Sequence, residues 1–265
     1  MNVNRRSALS LIGTSLCFLA GCLESGAQGS PPTNGDDLPD DQTPDDGYPP
    51  QFSSTHEERT INVNSYDTLD REGIDVPLAP IEDVYYWYTR GEARFVDARP
   101  EIAWERSRIF GAVWSPAPDG RDADPVVQWP KADRIVCYCG CPHTMASIRA
   151  ASLISDGYEN VYVIDEGFWE WQGLEYPMAG TQVEARPLLR GIQGQTPQQF
   201  AGELAWVRHL PTGQVEVAPI SNDGTFELDF RFSDINDRSV LVVETPAFRV
   251  TDRVSVLTSA VVTGP

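Results

Sequence analysis

The chain has 265 residues, is 41% hydrophobic and carries a formal net charge of −19. At about 150 residues per domain, this length predicts one or two domains plus tails. The hydrophobic fraction excludes a wholly disordered chain. The strong acidity argues against a nucleic-acid partner, because phosphate binding requires a surface rich in Lys and Arg.

Residues 1–22 are typical of an export signal. The pair Arg5-Arg6 precedes a mostly apolar run over 9–20, which is too short to span a bilayer. The run ends in Leu19-Ala20-Gly21-Cys22, which resembles the lipobox of prokaryotic lipoproteins and implies a lipid on Cys22. The arginine pair also resembles a twin-arginine signal, so the export route stays open. We therefore expect an exported protein that is lipid-anchored to a membrane, in the periplasm or at the cell surface of a prokaryote.

Residues 23–60 are predicted to be a disordered acidic tether. Within them, residues 31–50 hold six Pro, six Asp and no basic residue. Such a segment buries too little apolar surface to offset its chain entropy, and its charges repel one another.

Residues 61–180 alternate between strand and helix patterns and are called the N-terminal domain below. Helical spacing covers 81–90 and 144–156, and short apolar runs at 93–97, 135–138 and 161–164 are predicted strands. Strands separated by helices predict an α/β fold with a parallel sheet flanked by helices.

Residues 186–265, the C-terminal domain, have a period of two, as the alternation of Phe226, Leu228 and Phe230 shows. We predict a small all-β antiparallel sandwich in which Asp223-Gly224 marks a hairpin. The stretch from Val215 to Leu228 resembles transthyretin-like or carboxypeptidase-regulatory sandwiches. It holds no catalytic cluster, which predicts a spacer, a stabiliser or a docking module for a protein partner.

The five cysteines do not form a disulfide framework. Cys17 and Cys22 belong to the export signal, which leaves Cys137, Cys139 and Cys141 in one short stretch. Clustered thiols of this kind indicate chemistry.

Residues 134–153, RIVCYCGCPHTMASIRAASL, form the candidate active-site segment. A buried strand runs into Cys139, a short turn follows, and a helix is predicted to begin near Thr144. Free backbone N–H groups and partial positive charge at a helix start would stabilise a Cys139 thiolate. This arrangement predicts a nucleophile that attacks sulfur and then carries a persulfide.

Several ordered motifs over about residues 78–180 resemble those of the rhodanese-like domain family. They are an Asp-x-Arg strand end at Phe95–Arg99, a turn at Arg108–Ala112, the cysteine strand at Ile135–Cys139, the closing strand at Gly157–Val163, the turn at Glu166–Trp171, and Tyr176-Pro177.

The resemblance implies that Cys139 accepts a sulfane sulfur from a small donor and passes it to a thiol acceptor, with no cofactor. It implies an active-site loop that holds the persulfide on its backbone N–H groups, except at Pro142, which has none. It implies that Asp97 and Arg99 are structural supports of the loop. The predicted loop residues are Gly140, Cys141, Pro142, His143, Thr144 and Met145.

The loop departs from the family pattern in its charge and its length. Many active members place an arginine within the loop, whereas no Lys or Arg lies between Cys139 and Ile148 here. The loop is also one residue longer than in small sulfurtransferases, which resembles phosphatase and arsenate-reducing members. The sulfur donor is therefore left open.

The same residues allow other interpretations. Cys137 alternates with Tyr138 and is predicted to be a buried strand residue. Cys141 is either a resolving thiol for Cys139, which would make the protein a thiol–disulfide redox protein, or a packing residue. Four potential metal ligands occur at spacing two (Cys137, Cys139, Cys141 and His143), but this spacing does not readily converge on one ion, so no metal is predicted. A non-catalytic binding module is the remaining alternative.

Overall fold

The computed structural model describes residues 38, 46–52, 55–140 and 143–264. The predicted signal at 1–22, the lipidation of Cys22, and the loop residues Cys141 and Pro142 lie outside these ranges. Within the described part of the chain, no helix is both long and apolar enough to cross a membrane.

The N-terminal domain is built on a six-stranded sheet in the order β1-β2-β7-β6-β3-β5. All neighbours in this sheet are parallel except the edge pair β1–β2, and β4 pairs with β8 in a separate antiparallel ladder. The strands are β1 (Thr68–Arg71), β2 (Ile74–Ala79), β3 (Arg94–Asp97), β4 (Arg108–Ile109), β5 (Val113–Trp114), β6 (Arg134–Tyr138), β7 (Asn160–Ile164) and β8 (Met178–Ala179). The helices are α1 (Ile81–Thr89), α2 (Glu101–Arg106), α3 (Thr144–Ser155) and α4 (Phe168–Gly173). The predicted mixed α/β fold with a mainly parallel sheet is confirmed.

The central strand β6 divides the core into two clusters, because successive side chains of a strand point to opposite faces. Val136 and Tyr138 join the cluster that includes α1 and α4. Ile135, Cys137 and the following Cys139 join the cluster formed with α3. The alternation therefore directs Cys137 and Cys139 toward α3.

Residues 46–52 and 55–60, which we call the strap, lie against the N-terminal domain. The backbone N–H of Phe95 donates to the carbonyl of Gly47 at 2.8 Å, and Arg59 Nη2 lies 2.6 Å from the Asp83 carboxylate. A methyl group on Gly111 would lie 2.5 Å from the Tyr48 carbonyl oxygen, so the strap passes directly over this glycine. This part of the predicted 23–60 tether is packed on the domain, because Tyr48 and its prolines supply apolar surface that the Asp-rich part lacks.

The C-terminal domain contains two antiparallel sheets, β11-β10-β13-β14 and β12-β9. Ile192, Leu228 and Phe230 from the smaller sheet share one apolar cluster with Val207 and Leu241 from the larger. The elements are β9 (Arg190–Gln195), β10 (Leu204–His209), β11 (Gln214–Pro219), β12 (Thr225–Phe230), β13 (Val240–Glu244), β14 (Arg249–Arg253) and the short helix α5 (Val254–Leu257).

Asp223-Gly224 forms a tight turn but does not close a hairpin. The Ser221 N–H donates to the Thr225 carbonyl at 2.8 Å, and Gly224 has a positive φ of 85°. The strands on either side then enter different sheets, since β11 pairs with β10 and β12 pairs with β9. The hairpin prediction is wrong, because local turn chemistry does not specify which sheet each flanking strand joins.

Candidate active site

Cys139 lies one residue beyond β6, where the strand turns toward α3. Its side chain is only 1% exposed. Its carbonyl accepts a hydrogen bond from the Phe168 N–H at 3.1 Å, and the carbonyl of Tyr138 accepts one from Ala98 at 3.0 Å. The loops that follow β3 and β7 therefore fix the backbone on both sides of the thiol.

Cys137 is buried below this turn and is a structural thiol. Its side chain has no exposed surface, and burial raises its pKa to about 12, against a smaller opposing effect of the Arg149 charge. A thiol nucleophile must ionise to react. Cys137 therefore stays protonated and inert at neutral pH.

Asp97 and Arg99 form a buried ion pair beside the cysteine. Arg99 Nε and Nη2 lie 2.9 and 2.7 Å from the two carboxylate oxygens of Asp97, and Nη2 also donates to the Ser107 carbonyl. The guanidinium covers the Phe168 ring at 3.9 Å. Burial acts to lower the pKa of Arg99, but the Asp97 carboxylate outweighs it and raises the pKa, with a smaller contribution from Cys139.

His143 connects the start of α3 to the loop after β7. It occupies the N-cap position of α3 in the left-handed region, with φ 72°, and its Nε2 lies 2.8 Å from Oδ1 of Asp165. Since this nitrogen is engaged by Asp165, His143 acts on the loop as an anchor. Asp165 was missed at the sequence level, although an acidic residue directly after a parallel strand is a signal that points to this edge of the sheet.

The other predicted loop residues have different environments. Thr144 and Met145 are both 4% exposed, and Met145 packs in the same cluster as Cys139. Gly140 faces the C-terminal domain, because a methyl group on it would lie 3.3 Å from Trp169 Nε1 and 3.4 Å from Glu216 Oε2.

A small cleft of about 40 Å³ separates Gly140 from the C-terminal domain. This volume holds only about three water molecules. The polar side chains that line it are those of Arg99, Trp169, Gln214, Glu216 and Arg231. The sequence around Gly140 does not predict that Glu216 and Arg231 line the same cleft, because their approach depends on how the two domains pack. Over the described ranges, no three His, Cys, Asp or Glu side chains group as metal ligands.

Comparison with known families agrees with this geometry. Residues 81–174 match the family model described as Rhodanese-like domain. Residues 81–174 form a rhodanese-like domain. The match includes Asp97, Arg99 and Cys139, and it ends before β8 and the C-terminal domain. A comparison with curated proteins gives no match.

Several solved structures are similar to a part of the chain. A Bacillus halodurans protein is 23% identical, with 40% of this chain and 77% of that chain covered and a TM-score of 0.36. The rhodanese-like domain of an Anabaena protein is 19% identical, with 42% and 85% covered and a TM-score of 0.37. A full-length Lactobacillus plantarum protein is 21% identical, with 39% and 87% covered and a TM-score of 0.32.

Proposed function

We propose that this protein is a sulfurtransferase or persulfide carrier in which Cys139 bears the sulfur. The observation that carries the proposal is the position of Cys139 just beyond the carboxyl end of the central parallel strand β6, five residues before the first residue of α3 and beside the buried pair of Arg99 and Asp97. This placement supports Cys139 as the sulfur-bearing residue, because a helix start favours anionic groups near it.

The proposed reaction has two displacements. The Cys139 thiolate attacks the outer sulfur of a small sulfane donor, the S–S bond breaks, and its electron pair leaves with the remainder of the donor. An acceptor thiolate then attacks the terminal sulfur of the Cys139 persulfide, which forms an acceptor persulfide and regenerates the Cys139 thiolate. Neither step needs an external oxidant, reductant or cofactor.

The test compares Cys139→Ser with Cys137→Ser. We expect Cys139→Ser to abolish sulfur transfer, and Cys137→Ser to retain much of it because Cys137 does not ionise at neutral pH. A donor screen with a persulfide trap measures the transfer. Equal loss in both variants, with both folded, would contradict the proposal.

The mass of the untreated protein distinguishes the proposed persulfide role from a thiol–disulfide redox role of Cys139 and Cys141. A gain of about 32 Da on Cys139 supports a persulfide, whereas a loss of about 2 Da across the two cysteines supports a disulfide.

The burial of Cys139 favours a second candidate, a non-catalytic module whose loop binds a partner or metabolite. Cys139 is only 1% exposed, and a thiol buried to this degree is a poor target for bulky donors. Retained biological activity in the Cys139→Ser protein would favour this candidate over sulfur transfer.

We further propose that the protein is exported and held at a membrane by a lipid on Cys22. The arginine pair, the apolar run and Leu19-Ala20-Gly21-Cys22 support this location. The transthyretin-like or carboxypeptidase-regulatory resemblance supports a docking role for the C-terminal domain toward a protein partner, beyond its contact with the cysteine loop.

A further inference from the structure

A second small cleft lies between the two domains and is called the arginine cleft below. It has a volume of about 40 Å³ and shares Arg99, Trp169 and Arg231 with the cleft beside Gly140. Arginines make up three of its lining residues, and no Asp or Glu is among those that line it in the described part of the chain. In a chain with 39 acidic and 20 basic residues, such a lining indicates a place for an anion.

Arg106 brings an unsatisfied donor to the arginine cleft. Its Nη2 lies 2.6 Å from Oδ2 of Asp234, in an ion pair that joins the two domains. Its Nη1 is buried and has no hydrogen-bond partner among the described residues. A buried N–H group of a charged side chain is costly to leave without an acceptor. An acceptor bound in the cleft would therefore fill a position that the protein itself leaves open.

Arg231 adds positive charge from the C-terminal domain. Its Nη1 donates to the Pro187 carbonyl, a neutral acceptor, at 2.8 Å, and its guanidinium lies over the Trp169 ring at 5.5 Å. Burial, and then the charge of Arg186, lower the pKa of Arg231, and the Asp229 carboxylate opposes them with a smaller effect. The charge of Arg231 is thus only partly compensated within the protein.

The acids near the arginine cleft either form ion pairs or lie outside its lining. Asp97 pairs with Arg99. Asp234 pairs with Arg106, but its side chain is 65% exposed, so water weakens its effect. Glu216 lines the neighbouring cleft and not this one. The arginine cleft therefore keeps positive charge, and both domains contribute it.

We propose that the arginine cleft binds one small tetrahedral oxyanion, of the class of sulfate or phosphate, which bridges Arg106 of the N-terminal domain and Arg231 of the C-terminal domain. The cleft admits about three water molecules, so it is too small for a nucleotide or a sugar phosphate. The oxygens of such an ion accept charge-assisted hydrogen bonds, which guanidinium groups supply in a matching geometry. The bound ion holds the two domains together, and this role does not depend on the sulfur transfer proposed above.

The test is a calorimetric titration of the full chain with sodium sulfate and, separately, with sodium phosphate, in a chloride buffer of constant ionic strength. We expect one saturable site per chain for at least one of the two ions, and the tighter ion identifies the ligand. The unfolding temperature should rise over the same concentration range, since an ion that binds only the folded state stabilises it.

Arg231→Gln and Arg106→Gln are each expected to weaken this binding by about tenfold or more, because each removes a charge-assisted hydrogen bond. The matched control is Arg249→Gln. Arg249 lies on β14 with a side chain that is 55% exposed, and it does not line the arginine cleft. This control removes the same charge from the chain and should leave the affinity for the ion unchanged.

The absence of a saturable site in the native protein would overturn the inference, and this measurement needs no variant to fold. Equal affinities of folded Arg231→Gln and Arg249→Gln would also overturn it, because the ion would then bind outside the arginine cleft. Either result leaves the proposed sulfur transfer by Cys139 standing.

Discussion

At the scale of single residues, the buried ion pair of Asp97 and Arg99 is the feature of the candidate site that most needs compensating contacts, because both charges are withdrawn from water. Asp97 has no exposed surface and Arg99 is 4% exposed. Two buried charges are tolerated only when they satisfy each other, and here Asp97 receives two side-chain hydrogen bonds and the Arg99 backbone N–H at 3.0 Å. This pairing agrees with the predicted role of Asp97 and Arg99 as structural supports of the loop that holds Cys139.

Asp97→Asn is expected to lower the free energy of unfolding by about 3–5 kcal/mol, because it leaves the Arg99 charge buried without a carboxylate. Urea denaturation measures this loss. The control is Asp237→Asn, which breaks the pair with Arg190 at a side chain that is 72% exposed and should cost at most about 1 kcal/mol. Similar small losses in both variants would show that the buried pair does not support the fold.

Cys139, Asp97 and Arg99 could be found from the sequence because each belongs to a local motif at a strand end. The contacts of Glu216 and Asp165 could not be found in this way. Glu216 reaches Gly140 from another domain, 76 positions later in the chain, and its approach depends on the packing of β11. The sequence thus points to Cys139 as the candidate nucleophile but does not predict which part of the C-terminal domain lies against its loop.

At the scale of elements, predictability follows the strength of the hydrophobic pattern. The helix predicted over 144–156 is observed as α3, Thr144–Ser155, and the three buried strands were located because their apolar runs lie between clear breaks. Strands β4, β5 and β8 have two residues each, which is too short to show the alternation of apolar and polar residues that predicts a strand. The strap was predicted as part of the tether because proline and aspartate dominate its neighbourhood, and its few apolar contacts are made with distant residues.

Substitution of Gly111 tests whether the packed strap stabilises the N-terminal domain. A methyl group there would lie 2.5 Å from the Tyr48 carbonyl oxygen, at a backbone φ of +89°. Gly111→Ala is therefore expected to lift the strap and to lower the free energy of unfolding by about 2–4 kcal/mol, since both a steric clash and backbone strain are introduced. Urea denaturation and limited proteolysis of residues 46–60 provide the measurements.

Gly91→Ala is the matched control for that substitution. Gly91 also has a positive φ, +63°, but a methyl group there meets nothing within 4 Å. It should cost only the strain, about 1 kcal/mol, and leave the protease sensitivity of the strap unchanged. If both variants behave alike, the strap contributes little to the stability of the domain.

At the scale of the whole molecule, the chain joins a rhodanese-like domain to a β domain that packs against the loop of the candidate site. The cluster containing Cys139 extends into β11 through Val217, so the two domains share apolar core. The C-terminal domain is thus more than a spacer, and its removal would uncover the Cys139 loop.

The proposed anchor belongs to this scale. Cys22→Ala is expected to move the protein from the membrane fraction to the soluble fraction of a prokaryotic host and to abolish labelling by a fatty-acid analogue, because the lipid attaches to that thiol. Cys17→Ala, five residues earlier, is the control and should leave the membrane recovery and the fatty-acid labelling unchanged. Continued membrane recovery and labelling of Cys22→Ala would contradict lipidation at this residue.

The strap also bears on the proposed lipid anchor, because it sets how much chain would lie between Cys22 and the folded domain. A connection that ran from Cys22 to residue 60 would contain 38 residues and span at most about 130 Å. Because Gly47 and its neighbours are bound to the domain, only the 23 residues from 23 to 45 are left for that connection, and they span at most about 80 Å. If Cys22 is lipidated as proposed, Cys139 would stay within about that distance of the membrane, and a sulfur donor or acceptor would have to come equally close to react with it.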